Sequence, residues 1–391
     1  MARWLIAPVL ALAATFTPAA QAAESVNIGV ILPLSGPNAQ FGINARNGIE
    51  MALQDLKPTL KDLDVKLVYA DVPAPNAAGA AVQRLISQNQ VVGVVGAFVS
   101  SITLAASEVT ERAGIPMITH SFADQITNRG YRYIFQVAPQ ATTFGEKQFQ
   151  YSMDLAAKAG VKLERIAIFY EDTAYGTSQS EGIRKAAAKA GVQVVIDDGY
   201  PLGITDVAPL VNKLRRSDAQ VVFPVSYFND GLLIIRTMRQ QRITMPVIGG
   251  AAGYIVPDFQ KGLGEYAEDV FSIAPANYDS LPGVADRYKK QHGVFMAHES
   301  LMYGAALQHL IASIQQAKSD DPEKIRDAVA ALKMCDGFAA GLPGGCTAFD
   351  EKGLTSTAYP LFVQWRGDDL VTVFPEEAAK ASARWMGQEV K

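Results

Sequence analysis

Only two cysteines and four histidines occur among the 391 residues, which leaves metal and redox chemistry little to work with. His120, His292, His298 and His309 are scattered without metal-ligand spacing. Cys335 and Cys346 have neither a CxxC arrangement nor a neighbouring histidine, so no zinc site is expected. Basic residues are not in excess: 35 Lys and Arg against 39 Asp and Glu give a formal net charge of −4. That balance offers no ground for a nucleic-acid partner, whose binders carry basic patches. Nucleotide and hydrolase fingerprints are missing too. No GxGxxG follows a strand, the nearest match being Gly262-Leu263-Gly264 in an acidic loop, and no GxxxxGKS or GxxxxGKT, HExxH or GxSxG pattern occurs. His298-Glu299 reads as a pair capping a helix start, and Asp71 and Asp197-Asp198 read as loop or cap carboxylates. With no catalytic constellation, the expectation is a protein that is not an enzyme and carries no cofactor.

Long apolar runs are also scarce. The exception is residues 1–22, where Arg3 supplies a positive start, Trp4 to Phe16 an apolar stretch, and Ala20-Gln21-Ala22 a small-residue exit. A membrane anchor is the alternative, but Pro8, Pro18 and that exit argue for a cleaved signal peptide. No cysteine lies near the exit to carry a lipid. Nowhere else does an apolar run approach the roughly 18 residues that a spanning helix needs. The mature chain is therefore expected to be soluble and exported. In an oxidising compartment Cys335 and Cys346, flanking the loop CDGFAAGLPGGC, could close a local disulfide worth about 3 kcal/mol at most. Two free thiols remain the alternative.

Hydrophobic residues make up 49% and charged ones 19%, a globular composition, and the length suits two or three domains. Apolar strands alternate with amphipathic helices. Val26–Leu32, Val65–Ala70 and Val91–Gly96 read as strands, and Ala39–Leu56 and Ala77–Ser87 as helices. After Val137-Ala138-Pro139-Gln140 the alternation restarts, with strands at Arg165–Tyr170, Val192–Ile196, Ala219–Val225 and Pro246–Gly249. Helices at Tyr303–Ala317 and Pro322–Leu332 follow, then a hairpin turning at Gly367-Asp368. Continuous apolar strands separated by helices predict parallel sheets covered on both faces.

The stretch Gly93 to Ala123 holds the best candidate site. Two strand ends bring Phe98, Ser100, Ser121 and Phe122 to one sheet edge, where ligands of open parallel sheets bind. A helix starting at Ser100-Ser101 turns free N–H groups toward that edge and suits an anion.

Several blocks in order resemble the solute-binding proteins of ABC transporters for branched-chain amino acids. They are IGVILPLSGPNAQFGINARNGIEMA from Ile28, VVGAFVSSITLAAS from Val94, then RAGIPMIT, YRYIFQVAP, RIAIFYEDTAYG, AFDEKG and LFVQW. The resemblance covers nearly all of the chain after residue 22. It implies an α/β fold of two doubly wound parallel-sheet lobes joined by three hinge crossings, near Pro139, Ala274 and Leu354. Residues 23–139 with 275–353 would form lobe 1, and residues 140–274 with 354–391 lobe 2. It implies closure around a small ligand, delivery to an ABC permease, and a monomer. Carried over by position, the ligand contacts are Phe41, Phe98, Val99, Ser100, Ser121, Phe122 and Ala123 on lobe 1, and Tyr175, Tyr227, Gly250 and Ala251 on lobe 2. Ser100 and the N–H groups of Ser121 to Ala123 would take a carboxylate. The acid that pairs with an amino acid's ammonium in the family is replaced by Ala251, with Asp230 the nearest substitute. An aromatic or apolar carboxylic or 2-oxo acid is then the expected ligand. Branched-chain amino acids, or a role as a sensor feeding a membrane receptor, are the alternatives.

Overall fold

The computed structural model describes residues 24–60 and 63–390; the expected signal segment, residues 1–22, lies outside them. The chain opens with β1 (Glu24–Leu32), α1 (Ala39–Leu56), β2 (Leu63–Asp71), α2 (Pro75–Ser87), β3 (Val91–Gly96), α3 (Ser100–Ala113), β4 (Met117–Thr119), α4 (Gln125–Asn128) and β5 (Ile134–Gln136). Their strands form one parallel sheet in the order β2-β1-β3-β4-β5. Every residue of β3 is buried, as a central strand covered on both faces requires. The strand order reverses between β1 and β3, which opens a crevice at their C-terminal ends.

A second unit holds α5 (Ala141–Lys158), β6 (Arg165–Glu171), α6 (Ala174–Ala190), β7 (Gln193–Tyr200), α7 (Ala208–Arg216), β8 (Val221–Val225), α8 (Phe228–Gln240), β9 (Ile248–Gly249), α9 (Pro257–Leu263) and β10 (Phe271–Ala274). The chain then supplies α10 (Pro282–His292), α11 (His298–Ala317) and α12 (Pro322–Ala331), and α11 packs along α1 of the first unit. Last come β11 (Leu361–Arg366), β12 (Asp369–Phe374) and a small pair, β13 (Arg384–Trp385) with β14 (Gln388–Glu389). In the second sheet β7-β6-β8 are parallel, and a bridge between Val222 and Val247 joins them to β9-β10-β11-β12. The chain passes between the units after β5, after β10, and between Leu354, which bridges Gln136, and β11.

The hairpin expected at Gly367-Asp368 is present: β11 runs antiparallel to β12, and it also runs antiparallel to β10. Two expectations are corrected. β7 runs on through Asp197-Asp198, which are strand residues rather than loop or cap residues. As an edge strand it can carry charges, and they pair with Arg184 at 2.9 Å and Lys213 at 2.7 Å. α11 begins at His298, five residues before the expected Tyr303, with Ala297 as its cap. His298 and Glu299 are buried and provide no side-chain cap. The loop after α12 is closed by a Cys335–Cys346 disulfide.

Glycines set the closest helix packing. A Cβ on Gly145 of α5 would lie 2.0 Å from the Gln179 carbonyl oxygen, and one on Gly182 of α6 would lie 2.1 Å from that of Thr142. The two backbones are therefore in direct contact. Gly145→Val is expected to push the helices apart and lower unfolding free energy by about 3 kcal/mol. Urea denaturation checks this; an unchanged midpoint would mean that α5 and α6 can separate without loss.

Candidate functional site

The first-lobe half of the site is built where β3 and β4 end. Beyond Gly96 the chain takes Phe98 through φ 73°, a left-handed conformation uncommon for a side-chain-bearing residue. The Phe98 N–H donates to the Tyr303 hydroxyl at 2.6 Å, which holds that turn. Its ring consequently stacks on Phe41 of α1, with centroids 4.3 Å apart and planes 17° from parallel. Val99 precedes the start of α3 and Ser100 opens it. The first N–H groups of a helix have no intrahelical acceptor. The Tyr227 hydroxyl from the other lobe lies near the Ser100 N–H.

The three N–H groups expected to take a carboxylate all donate within lobe 1, that of Ser121 to Thr119 Oγ1 at 3.1 Å. The Phe122 and Ala123 N–H groups donate to Ser100 Oγ at 3.3 and 3.1 Å, so their donors are occupied within lobe 1. The Ser121 hydroxyl donates to the Phe98 carbonyl at 2.8 Å and lies 2.6 Å from Thr103 Oγ1. Ser121 thus ties the two strand ends together, and the open donors lie at the first turn of α3.

Tyr175 at the start of α6 and Tyr227 at the cap of α8 come from the second lobe. Phe41 and Tyr227 are 6.1 Å apart edge to face, Phe122 and Tyr175 5.8 Å, and Tyr175 and Tyr227 5.3 Å. Phe41, Phe98, Phe122, Tyr175 and Tyr227 thus form a box across the lobe junction, and none is more than 4% exposed. Burial pushes both phenols well above their ordinary range, so they are neutral. The Tyr175 hydroxyl has no partner among the described residues.

The second-lobe loop opposite contains no acid. Gly250 donates to the Pro224 carbonyl and Ala251 to Ser272 Oγ, and Ala251 is fully buried. Asp230 does not substitute directly. It accepts from the Gly203 N–H at 3.2 Å and lines a cavity of about 410 Å³ with Pro37, Val99, Ser101 and Tyr227, a cavity that Phe41, Phe98 and Phe122 do not line. Burial raises its carboxyl to about 6, the Gly203 N–H opposing. A carboxylate that the sequence reasoning passed over, Glu171 at the end of β6, acts electrostatically on Tyr175 and Tyr227. Its two oxygens accept from the Thr173 and Gly176 N–H groups at 2.8 and 2.6 Å.

A second group was also missed. His120, one residue before Ser121, packs against Phe98 at 5.3 Å, Phe122 at 5.1 Å and His298 at 5.2 Å. His298 Nδ1 lies 3.2 Å from Glu299 Oε2 without hydrogen-bonding alignment. Burial drives His120 down to about 3, His298 well below its usual range and Glu299 well above its own, so the contact is between neutral groups. Asn44 of α1 faces Glu299. Both nitrogens of each histidine, both Glu299 oxygens and Asn44 Nδ2 lack hydrogen-bond partners among the described residues. Each such group costs about 1–3 kcal/mol. The available signal was the adjacency of His120 to Ser121-Phe122; His298-Glu299 was hidden by its resemblance to a cap. Among the described residues no cluster of His, Cys, Asp and Glu could hold a metal ion.

Comparison with known proteins places this geometry. A family model described as periplasmic binding protein matches residues 25–368. The chain is 31% identical to the Leu/Ile/Val-binding protein homolog 8 of Brucella melitensis, covering 98% of this chain and 99% of that protein. The leucine-binding protein LivK of Thermotoga maritima superposes with a TM-score of 0.79 at 22% identity, over 89% of this chain and 98% of that one. An ABC-transporter solute-binding protein of R. palustris, in complex with benzoate, gives 0.77 at 17% identity over 91% and 99%. Two α/β units enclosing an aromatic box at their strand ends, with these likenesses over almost the full length, show that the chain belongs to the type I periplasmic-binding-protein family of ABC-transporter solute-binding proteins.

Proposed function

We propose that the protein captures a small carboxylate with an aromatic or apolar body and no α-ammonium, and delivers it from the periplasm to an ABC permease. The observation that carries this reading is that the buried loop at Ala251, where the family resemblance places the ammonium's acid, contains none, while aromatic rings meet at the lobe junction. A buried ammonium left without a partner costs several kcal/mol, enough to abolish useful affinity. The rings instead suit a planar apolar body through offset and edge contacts. The carboxylate is assigned to the first turn of α3, at the Ser100 N–H near the Tyr227 hydroxyl, with the Ser101 N–H beside it. Ser100 Oγ acts there by fixing the Phe122-Ala123 backbone. The reading is supported by the R. palustris neighbour of the same fold, which is in complex with benzoate.

A second reading, a branched-chain amino acid, draws on the names of the relatives and on Glu171, a buried acid beside Tyr175 and Tyr227. It is the weaker one, because both Glu171 oxygens already serve the start of α6.

Differential melting separates the two. A ligand at 100 times its dissociation constant adds about 2.7 kcal/mol of stability, so benzoate or a phenyl-substituted 2-oxo acid is expected to raise the midpoint by several degrees. Leucine and valine are expected to leave it in place; a shift with these alone defeats the proposal. Ala251→Glu puts an unpaired carboxylate beside the box and is expected to weaken aryl carboxylate binding by about tenfold or more in calorimetric titration. Gain of leucine binding in the same variant would show that the ammonium site is otherwise intact. Asp230 makes a pH prediction. Its folded-state carboxyl titrates near 6 against an ordinary value of 3.8, so the native state holds a proton that the unfolded chain releases across that window. The group's contribution is full below the ordinary value and is lost as pH rises through 6. Asp230→Asn is expected to raise the melting temperature at pH 7, leave it nearly unchanged near pH 3.5, and keep the response to aryl carboxylates; loss of that response would place Asp230 in the ligand site.

A further inference from the structure

Against two of the rings, Phe98 and Phe122, packs a polar cluster, the polar floor, whose groups the proposed function does not use. Four side chains form it: Asn44 of α1, His120 after β4, and His298 and Glu299 in the first turn of α11, each at most 3% exposed. Tight helix packing brings α11 to this place. A Cβ on Gly48 of α1 would lie 2.0 Å from the Ser300 carbonyl oxygen, and Ser300 Oγ donates to the Asn44 carbonyl at 2.7 Å. Phe41 and Asn44 lie three residues apart on one face of α1, so the helix presents an aromatic ring and then a carboxamide to the same region. The rings of Phe41, Phe98 and His120 run in series, with centroids 4.3 and 5.3 Å apart and the second pair 29° from parallel. His120 also meets the edge of Phe122 at 5.1 Å, and His298 lies 6.1 Å from Phe98. The polar cluster therefore borders the box at two of its aromatic walls.

Its chemistry selects a partner. Two neutral imidazoles, a protonated carboxyl and a carboxamide offer donors and acceptors side by side with no net charge. A carboxylate or ammonium there would be a charge stripped of water with no opposite charge facing it. A hydroxyl both donates and accepts and brings no charge. We propose that Asn44, His120, His298 and Glu299 recognise a hydroxyl on the ligand's ring, so that the ligand is a hydroxyaryl carboxylate with its carboxylate at α3 and its hydroxyl at the polar floor. The assignment rests on the carboxylate reading above and adds to it the group at the ligand's other end.

Calorimetric titration of the full chain with isosteric pairs tests it: meta- and para-hydroxybenzoate against meta- and para-methylbenzoate, with benzoate as reference. One hydroxy isomer is expected to bind about tenfold or more tightly than its methyl counterpart, since a site built to bond a hydroxyl discriminates strongly against an analogue lacking it. In a His120→Leu, His298→Leu double variant the ratio is expected to fall toward one. Removing unpartnered buried polar groups in favour of apolar ones does not threaten folding. His298→Gln, which keeps a hydrogen-bonding group, is expected to retain part of the ratio. If benzoate and the methyl compounds bind while the hydroxyl confers no advantage, the polar floor is not a ligand subsite and only the carboxylate reading survives. A hydroxyl advantage that persists in the double variant also overturns the assignment. Absence of binding by every aryl carboxylate removes both.

Discussion

The Ser100 hydroxyl is the constraint on which the site depends. By accepting from the Phe122 and Ala123 N–H groups it clamps the segment after β4 to the first turn of α3, while Ser121 returns a bond to the Phe98 carbonyl. These cross-links make a single rigid edge of two strand ends that are separate in sequence. Everything else is aimed from that edge: Phe98 toward Phe41, Phe122 toward Tyr175, and the α3 donors toward the opposite lobe. Without the clamp each strand end would be an ordinary loop, and the entropy of ordering it would fall on the ligand.

The proposed closure would use the same geometry. Tyr227 brings a hydroxyl near the α3 N-terminus and a ring to the side of Phe41, so one second-lobe residue approaches both the polar and the apolar part of the first lobe. A ligand shifts the lobes toward closure only as far as it binds the closed arrangement better than the open one. Contacts divided between lobes provide that difference, whereas contacts to one lobe alone would not. The surrounding acids are held away from this role by their own bonds: Glu171 caps α6 and Asp230 caps the Gly203 turn.

Much of the framework was legible along the chain. The continuous apolar run of β3, the periodic face of α1 and the Gly367-Asp368 turn each specify structure within a few residues, and each appears where expected. Phe41, Phe98, Ser100, Phe122, Tyr175 and Tyr227 meet at one place. The failures are equally specific. Asp197-Asp198 looked like loop residues because charge is rare in strands, yet an edge strand exposes alternate side chains that Arg184 and Lys213 neutralise. His298-Glu299 looked like a cap because polar residues at a helix start commonly are, and only the approach of α1 to α11 through Gly48 shows that this helix start is sealed.

The sequence by itself determined the alternation of strands and helices, the helix start at Ser100, and the absence of an acid from the Gly249-Gly250-Ala251-Ala252 loop, because these depend on residue identity and short spacings. Tertiary structure alone decided which polar groups lose water. Burial of His120, His298 and Glu299, the return of Ser121 to an internal network, and the placing of Asp230 outside the aromatic box depend on segments far apart in the chain packing to within hydrogen-bonding distance. Desolvation is a property of all the neighbours at once, and no local pattern of residues encodes it.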